Sequence, residues 1–148
     1  MINVQIDDEY KDLVPDEPLR LAALTVLAHQ QKPAEIEINI LITSDDALQK
    51  INKEYRGIDE PTDVLSFESG IVNPETEISI LGDILISFSR ANKQAIDQKH
   101  DLIEELQLLT VHGCLHLFGF DHQDKAEKDK MWNAQEEILL AIDVKARP

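Results

Sequence analysis

The most regular stretch of the chain is residues 35–42, where Ile36, Ile38, Ile40 and Ile42 alternate with Glu35, Glu37 and Asn39. A period of two gives a segment one apolar and one polar face and predicts a half-buried strand. A shorter strand is expected at Val4–Ile6. Two more are expected at Val64–Phe67 and Ile78–Ser87, with Gly70–Thr76 as a hairpin-type connection that makes them antiparallel neighbours. Five helices follow from the remaining patterns. The first opens through Pro15, Asp16, Glu17 and Pro18 and carries Leu21, Leu24, Val26, Leu27 and Ala28 toward Gln31. Acids in its first turn and His29 near its end suit the helix dipole. The second is capped by Ser44 or Asp45, sets Leu48, Ile51 and Tyr55 on one side, and stops at Gly57. The others are Ser89–Asp97, the long apolar segment Leu102–Phe118, and Lys125–Ile142, amphipathic through Met131, Trp132, Ile138, Leu139 and Ile142. Strands and helices do not strictly alternate. The pattern therefore predicts an α+β fold: a single domain over residues 1–148 with a four-stranded mixed sheet packed by five helices.

Composition narrows the setting. The chain of 148 residues is long enough to bury a core without staples. Its one cysteine, Cys114, allows no intramolecular disulfide, which suits a reducing cytoplasmic home. Apolar runs such as Ile138–Ile142 fall far short of the roughly 20 residues that span a bilayer. The opening MINVQIDDEYKD carries acids where a secretory signal carries bases, so neither export nor a membrane partner is expected. Net charge is −15, from 29 acids and 14 bases, which argues against nonspecific nucleic-acid binding by the whole surface. A local basic strip remains open, with Lys53, Arg56, Arg90, Lys93 and Lys99 as its possible members.

The densest chemistry lies in HGCLHLFGFDH, residues 112–122. His112 and His116 stand four apart on a predicted helix, so both rings project from one face and reach one cation. Gly119 ends that helix and turns the chain, which brings His122 back toward the same point. Three imidazoles leave a fourth tetrahedral position open, the hallmark of a catalytic rather than a structural zinc site. Cys114, two residues past His112, points to another helix face and reads as a packing residue. His29 and His100 each stand alone and read as surface or helix-end residues. Zinc is the expected ion, although three imidazoles also suit nickel, copper or iron.

The spacing overlaps the metzincin protease signature, in which a glutamate follows the first histidine as general base. Here that residue is Gly113. HGCLHLFGFDH instead closely resembles the motif of the YbeY family of bacterial metal-dependent endoribonucleases. Two further blocks agree with that family, YRGIDEPTDVLSF at Tyr55–Phe67 and LGDILI at Leu81–Ile86. A departure is Glu68, where many relatives carry proline. The resemblance implies a single-strand-specific endoribonuclease acting in maturation of the 3′ end of small-subunit ribosomal RNA and in ribosome quality control. It implies His112, His116 and His122 as metal ligands, Arg56 as a residue needed for activity, and a small α+β domain with the metal at one end of a cleft beside its sheet. Single-stranded RNA, the ribosome, and ribosomal proteins or assembly factors are the implied partners.

Elementary chemistry supports part of this. Arg56 offers a permanently charged planar fork suited to phosphate, and equally a cation for the negative end of the helix before Gly57. Asp121 is placed either to accept from a ligand imidazole or to cap the next helix. Asp83 is similarly open, and no residue is identified as general base. The expected chemistry is metal-assisted phosphodiester cleavage. Two rival readings are a metallohydrolase acting on a peptide or another phosphoester, and a ribosome-associated metal-binding adaptor without catalysis.

Overall fold

The computed structural model describes residues 1–148. The strands are β1 (Ile2–Ile6), β2 (Glu37–Thr43), β3 (Val64–Val72) and β4 (Ser79–Ser87). The helices are α1 (Glu17–His29), α2 (Asp45–Arg56), α3 (Phe88–Gln98), α4 (Leu102–Leu117) and α5 (Lys125–Ala141). The sheet order is β1-β2-β4-β3, with β1, β2 and β4 parallel and β3 antiparallel to β4. This is the single mixed α+β domain that the sequence predicts. No helix is long and apolar enough to cross a membrane.

Alternation along β2 has the expected consequence. Ile38, Ile40 and Ile42 join Ile84 and Ile86 of β4 in the main core, under α1, α4 and α5. On the opposite face Asn3, Asn39 and Asp83 form a chain in which Asn3 Nδ2 donates to Asn39 Oδ1 (2.8 Å) and Asn39 Nδ2 to Asp83 Oδ1 (3.0 Å). That resolves the open question at Asp83, which ties neighbouring strands together. Farther along the same face, α2 covers the sheet through a smaller cluster of Leu48, Leu65 and Leu85.

The main differences from expectation lie in β1, which begins at Ile2 rather than Val4, and at the β3–β4 connection. β3 runs on to Val72, and the reversal lies at Asn73–Ile78, closed by the Asn73 amide donating to the Ile78 carbonyl at 2.8 Å. The strand passes Gly70 through a register shift between Glu68 and Ile71, so pairing resumes where composition suggested a turn. The 3₁₀ turn at Asp8–Tyr10 had no counterpart in the pattern.

Helix α4 is the centre of the molecule. Between Glu105 and Leu117 every residue is buried except His112 and His116. A helix apolar all round belongs in the middle of a fold. Two partly exposed imidazoles in such a helix mark where its sealed surface opens.

Candidate metal centre

Three turns of local structure build the cluster. His112 and His116 lie one turn apart on α4, with Nε2 atoms 3.1 Å apart and rings nearly perpendicular at 82°. The helix then ends in a Schellman motif: the Gly119 amide donates to the His116 carbonyl (3.0 Å) and the Phe120 amide to the Leu115 carbonyl (3.1 Å). Gly119 sits at φ 90°, a conformation that side chains disfavour, and this reverses the chain. His122 returns, its ring centroid 5.3 Å from that of His116 and 5.7 Å from that of His112. One ligand atom from each of the three rings lies within 4.8 Å of the others. Two nitrogens bound tetrahedrally to one zinc at roughly 2.05 Å stand about 3.3 Å apart, close to the His112–His116 spacing.

The protonation chemistry suits a metal as well. His112 Nδ1 donates to Gln135 Oε1 at 3.1 Å, which places its proton on Nδ1 and leaves the Nε2 lone pair facing the cluster. Burial, and after it the neighbouring His116, depress the His112 pKa to about 4, so the ring is neutral at pH 7. Burial and then His122 also lower that of His116. Two rings whose protonation is disfavoured, with Nε2 atoms 3.1 Å apart, are suited to ligating a metal near neutral pH. Trp132 of α5 stands edge-on to both His112 and His122, at centroid distances of 5.9 and 5.7 Å, and closes one side.

The other candidates fall into place around this centre. Asp121 Oδ1 accepts from the His122 backbone amide at 2.7 Å, and α5 is capped instead by Asp124, which accepts from Glu127. Asp121 therefore shapes the turn that presents His122; it neither caps α5 nor hydrogen-bonds a histidine ring. Arg56, the last residue of α2, lines with the three histidines an open cleft of about 790 Å³. The chain has four arginines; Arg20, Arg90 and Arg147 each pair with carboxylates, and Arg56 alone has no acidic partner. The basic strip does not assemble: Lys53 and Arg90 are matched to Asp59 and Asp45, and of the five expected cations only Arg56 reaches the cleft.

Cys114 lies fully buried in the core, its thiol pushed up to about 12 by burial, and takes no part in the cluster. His29 ends α1 as expected, with Nε2 2.6 Å from Glu137 Oε2. His100 is solitary only in sequence, since it is half-buried and bonded to the buried Glu105. The pairing arises because His100 immediately precedes the α4 cap Asp101 and reaches Glu105 in the first turn of the helix, a proximity that spacing within the histidine set does not reveal. Gln135 also escaped the sequence reading. Its signal was available: it falls on the core stripe of α5 between Met131 and Ile138, and a polar residue at a 2% exposed core position needs a partner.

The geometry also separates this site from the protease pattern. A Cβ at Gly113 would stand 2.9 Å from Ile84 Cγ2 and 3.1 Å from Ser66 Oγ. The position faces the sheet, so a glutamate there has neither room nor a path to the histidine cluster.

Comparisons with known proteins follow the same line. The profile of the family described as Endoribonuclease YbeY matches residues 4–143. The Endoribonuclease YbeY of Chloroflexus aurantiacus is 43% identical over 147 residues, covering 95% of this chain and 94% of that protein. That of Bacillus subtilis is 44% identical over 119 residues, 75% of each chain. The fold is similar to the solution structure of TM1509 from Thermotoga maritima, with a TM-score of 0.60 at 24% identity over 97% of this chain and 92% of that one. Matched across nearly its whole length by the family profile and by its relatives, this chain belongs to the YbeY family of endoribonucleases.

Proposed function

We propose that this protein is a zinc-dependent endoribonuclease that cleaves single-stranded RNA, with His112, His116 and His122 as the metal ligands and Arg56 as the phosphate-binding residue. The observation that carries the reading is the single unpaired arginine of a chain of net charge −15, set in one cleft with three convergent imidazoles. A zinc ion held by those rings supplies Lewis acidity for water activation and for polarising a phosphoryl oxygen.

The protein's own groups do the rest. Arg56 presents two parallel N–H donors to the non-bridging oxygens of a phosphodiester and counters the charge that builds there in the transition state. No carboxylate neutralises it beforehand. Gln135 holds the His112 ring, and Asp121 holds the His122 backbone, so the ligands need little reorganisation. Of the acids lining the cleft, Asp63 has both oxygens engaged, by the Val64 amide and the Gln94 side chain. Glu68 and the second oxygen of Asp121 accept no hydrogen bond and are the freer carboxylate groups of the cleft.

Family membership extends the proposal to the cytoplasm, to the 3′ end of small-subunit ribosomal RNA, and to ribosome quality control. An acidic body suits docking against basic ribosomal proteins. The test is incubation of the zinc-loaded protein with single-stranded RNA, duplex RNA and casein, followed by end-group analysis. Internal cleavage of the single strand alone supports the proposal. A 5′-phosphate product identifies water as nucleophile, and a cyclic phosphate the RNA's own 2′-hydroxyl. Cleavage of casein, or of neither RNA, overturns it.

A further inference from the structure

Helix α2 carries Leu48, Ile51 and Tyr55 along one side, and the stripe runs off the sheet into the cleft. Leu48 is fully buried against Leu65 and Leu85, Ile51 is half-buried, and Tyr55 is 72% exposed, the most exposed of the large apolar side chains. Its ring is nonetheless braced. It leans on Phe67 of β3 with centroids 5.8 Å apart at 61°, and Phe67 packs onto the buried Leu48 cluster. Both rings line the cleft that holds Arg56 and the three histidines.

An aromatic ring braced by a neighbouring ring yet largely exposed is a surface for another flat ring. Adjacent residues at the end of α2 thus offer the two grips a nucleotide needs, a fork for its phosphate at Arg56 and a platform for a base at Tyr55. We propose that Tyr55, braced by Phe67, stacks against an unpaired RNA base beside the scissile phosphate and thereby makes the site selective for single strands. Bases inside a duplex have both faces covered by neighbours and offer nothing to Tyr55; splayed bases do. Every base has such a face, so the subsite tolerates any sequence. This inference rests on RNA being the substrate.

The experiment uses oligoribonucleotides with one abasic position moved along the strand, cleaved by zinc-loaded wild type, Tyr55→Ala and Tyr55→Trp. Loss of one base–aromatic stack corresponds to about 5- to 150-fold in affinity. In wild type, KM rises by a factor in that range when the abasic position reaches one site flanking the cut. Tyr55→Ala shows the same rise on intact RNA and loses the abasic effect, while Tyr55→Trp restores both and zinc content stays constant. The preference for single strand over duplex narrows in Tyr55→Ala. An unchanged KM in Tyr55→Ala, or an abasic effect that survives it, overturns the proposal. Should wild type cleave no RNA, the functional reading fails by itself. Stacking is then judged by fluorescence anisotropy of the same oligonucleotides: a wild-type abasic penalty that Tyr55→Ala abolishes supports it, and equal binding by both proteins refutes it.

Discussion

Replacing Gln135 with leucine isolates the bond that orients the His112 ring. Gln135 is 2% exposed, and its Oε1 accepts from His112 Nδ1 at 3.1 Å. Leucine approximates the volume, so packing beside Met131 and Ile138 persists and the acceptor alone is lost. Loss of such an outer partner lowers metal affinity by about 10- to 100-fold, or about 1.4–2.7 kcal/mol. A separate penalty of about 1–3 kcal/mol falls on the fold, because the Nδ1–H is left buried without an acceptor. Chelator competition for zinc measures the first effect and urea unfolding of the metal-free protein the second. Gln135→Glu keeps an acceptor within reach and restores the affinity. Zinc binding in Gln135→Leu within twofold of wild type would show that the bond does not position the ring, and the reasoning about ligand preparation would fail with it.

Metal-free protein loses stability on acidification in a defined window. The folded pKa of His112 is about 4 against about 6.5 for the free side chain, so between those values the unfolded chain binds the extra proton. Its contribution, up to about 3 kcal/mol, is complete above pH 6.5 and fades as pH falls toward 4, with His116 acting in the same direction. Urea unfolding of wild type and His112→Gln at pH 7.5 and 5 reads the difference; parallel profiles would contradict it. Gly113→Glu, which installs the protease residue, drives a side chain into Ile84 and Ser66 and is expected to cost at least about 3 kcal/mol. A melting temperature near that of wild type, or any peptidase activity, would refute the packing argument.

The element set was legible because most segments have one clear period. β2 alternates, α4 is predominantly apolar, and Ser44 and Gly57 punctuate α2 with a cap at each end. The histidine cluster was legible for the same reason, since all three histidines lie on one helix and the turn after it. Pairing across the sheet was not. The parallel alignment of β1, β2 and β4 depends on contacts between segments far apart in sequence, and β3 continues past Gly70 only because β4 is there to pair with it. Arg56 shows the same limit. Its residue type suggested phosphate, yet its lack of a carboxylate partner and its place in the cleft are products of the assembled fold.

The most direct test measures zinc content and single-stranded RNA cleavage together for wild type, His112→Ala and Arg56→Ala. Wild type is expected to hold one ion per chain and to cleave. His112→Ala loses both the ion and the activity. Arg56→Ala, a substitution at an exposed side chain without an ion pair, keeps the ion and stays within about 0.5 kcal/mol of wild-type stability, yet loses cleavage. Cleavage that survives in His112→Ala, or that persists undiminished in Arg56→Ala, would contradict the account at its centre.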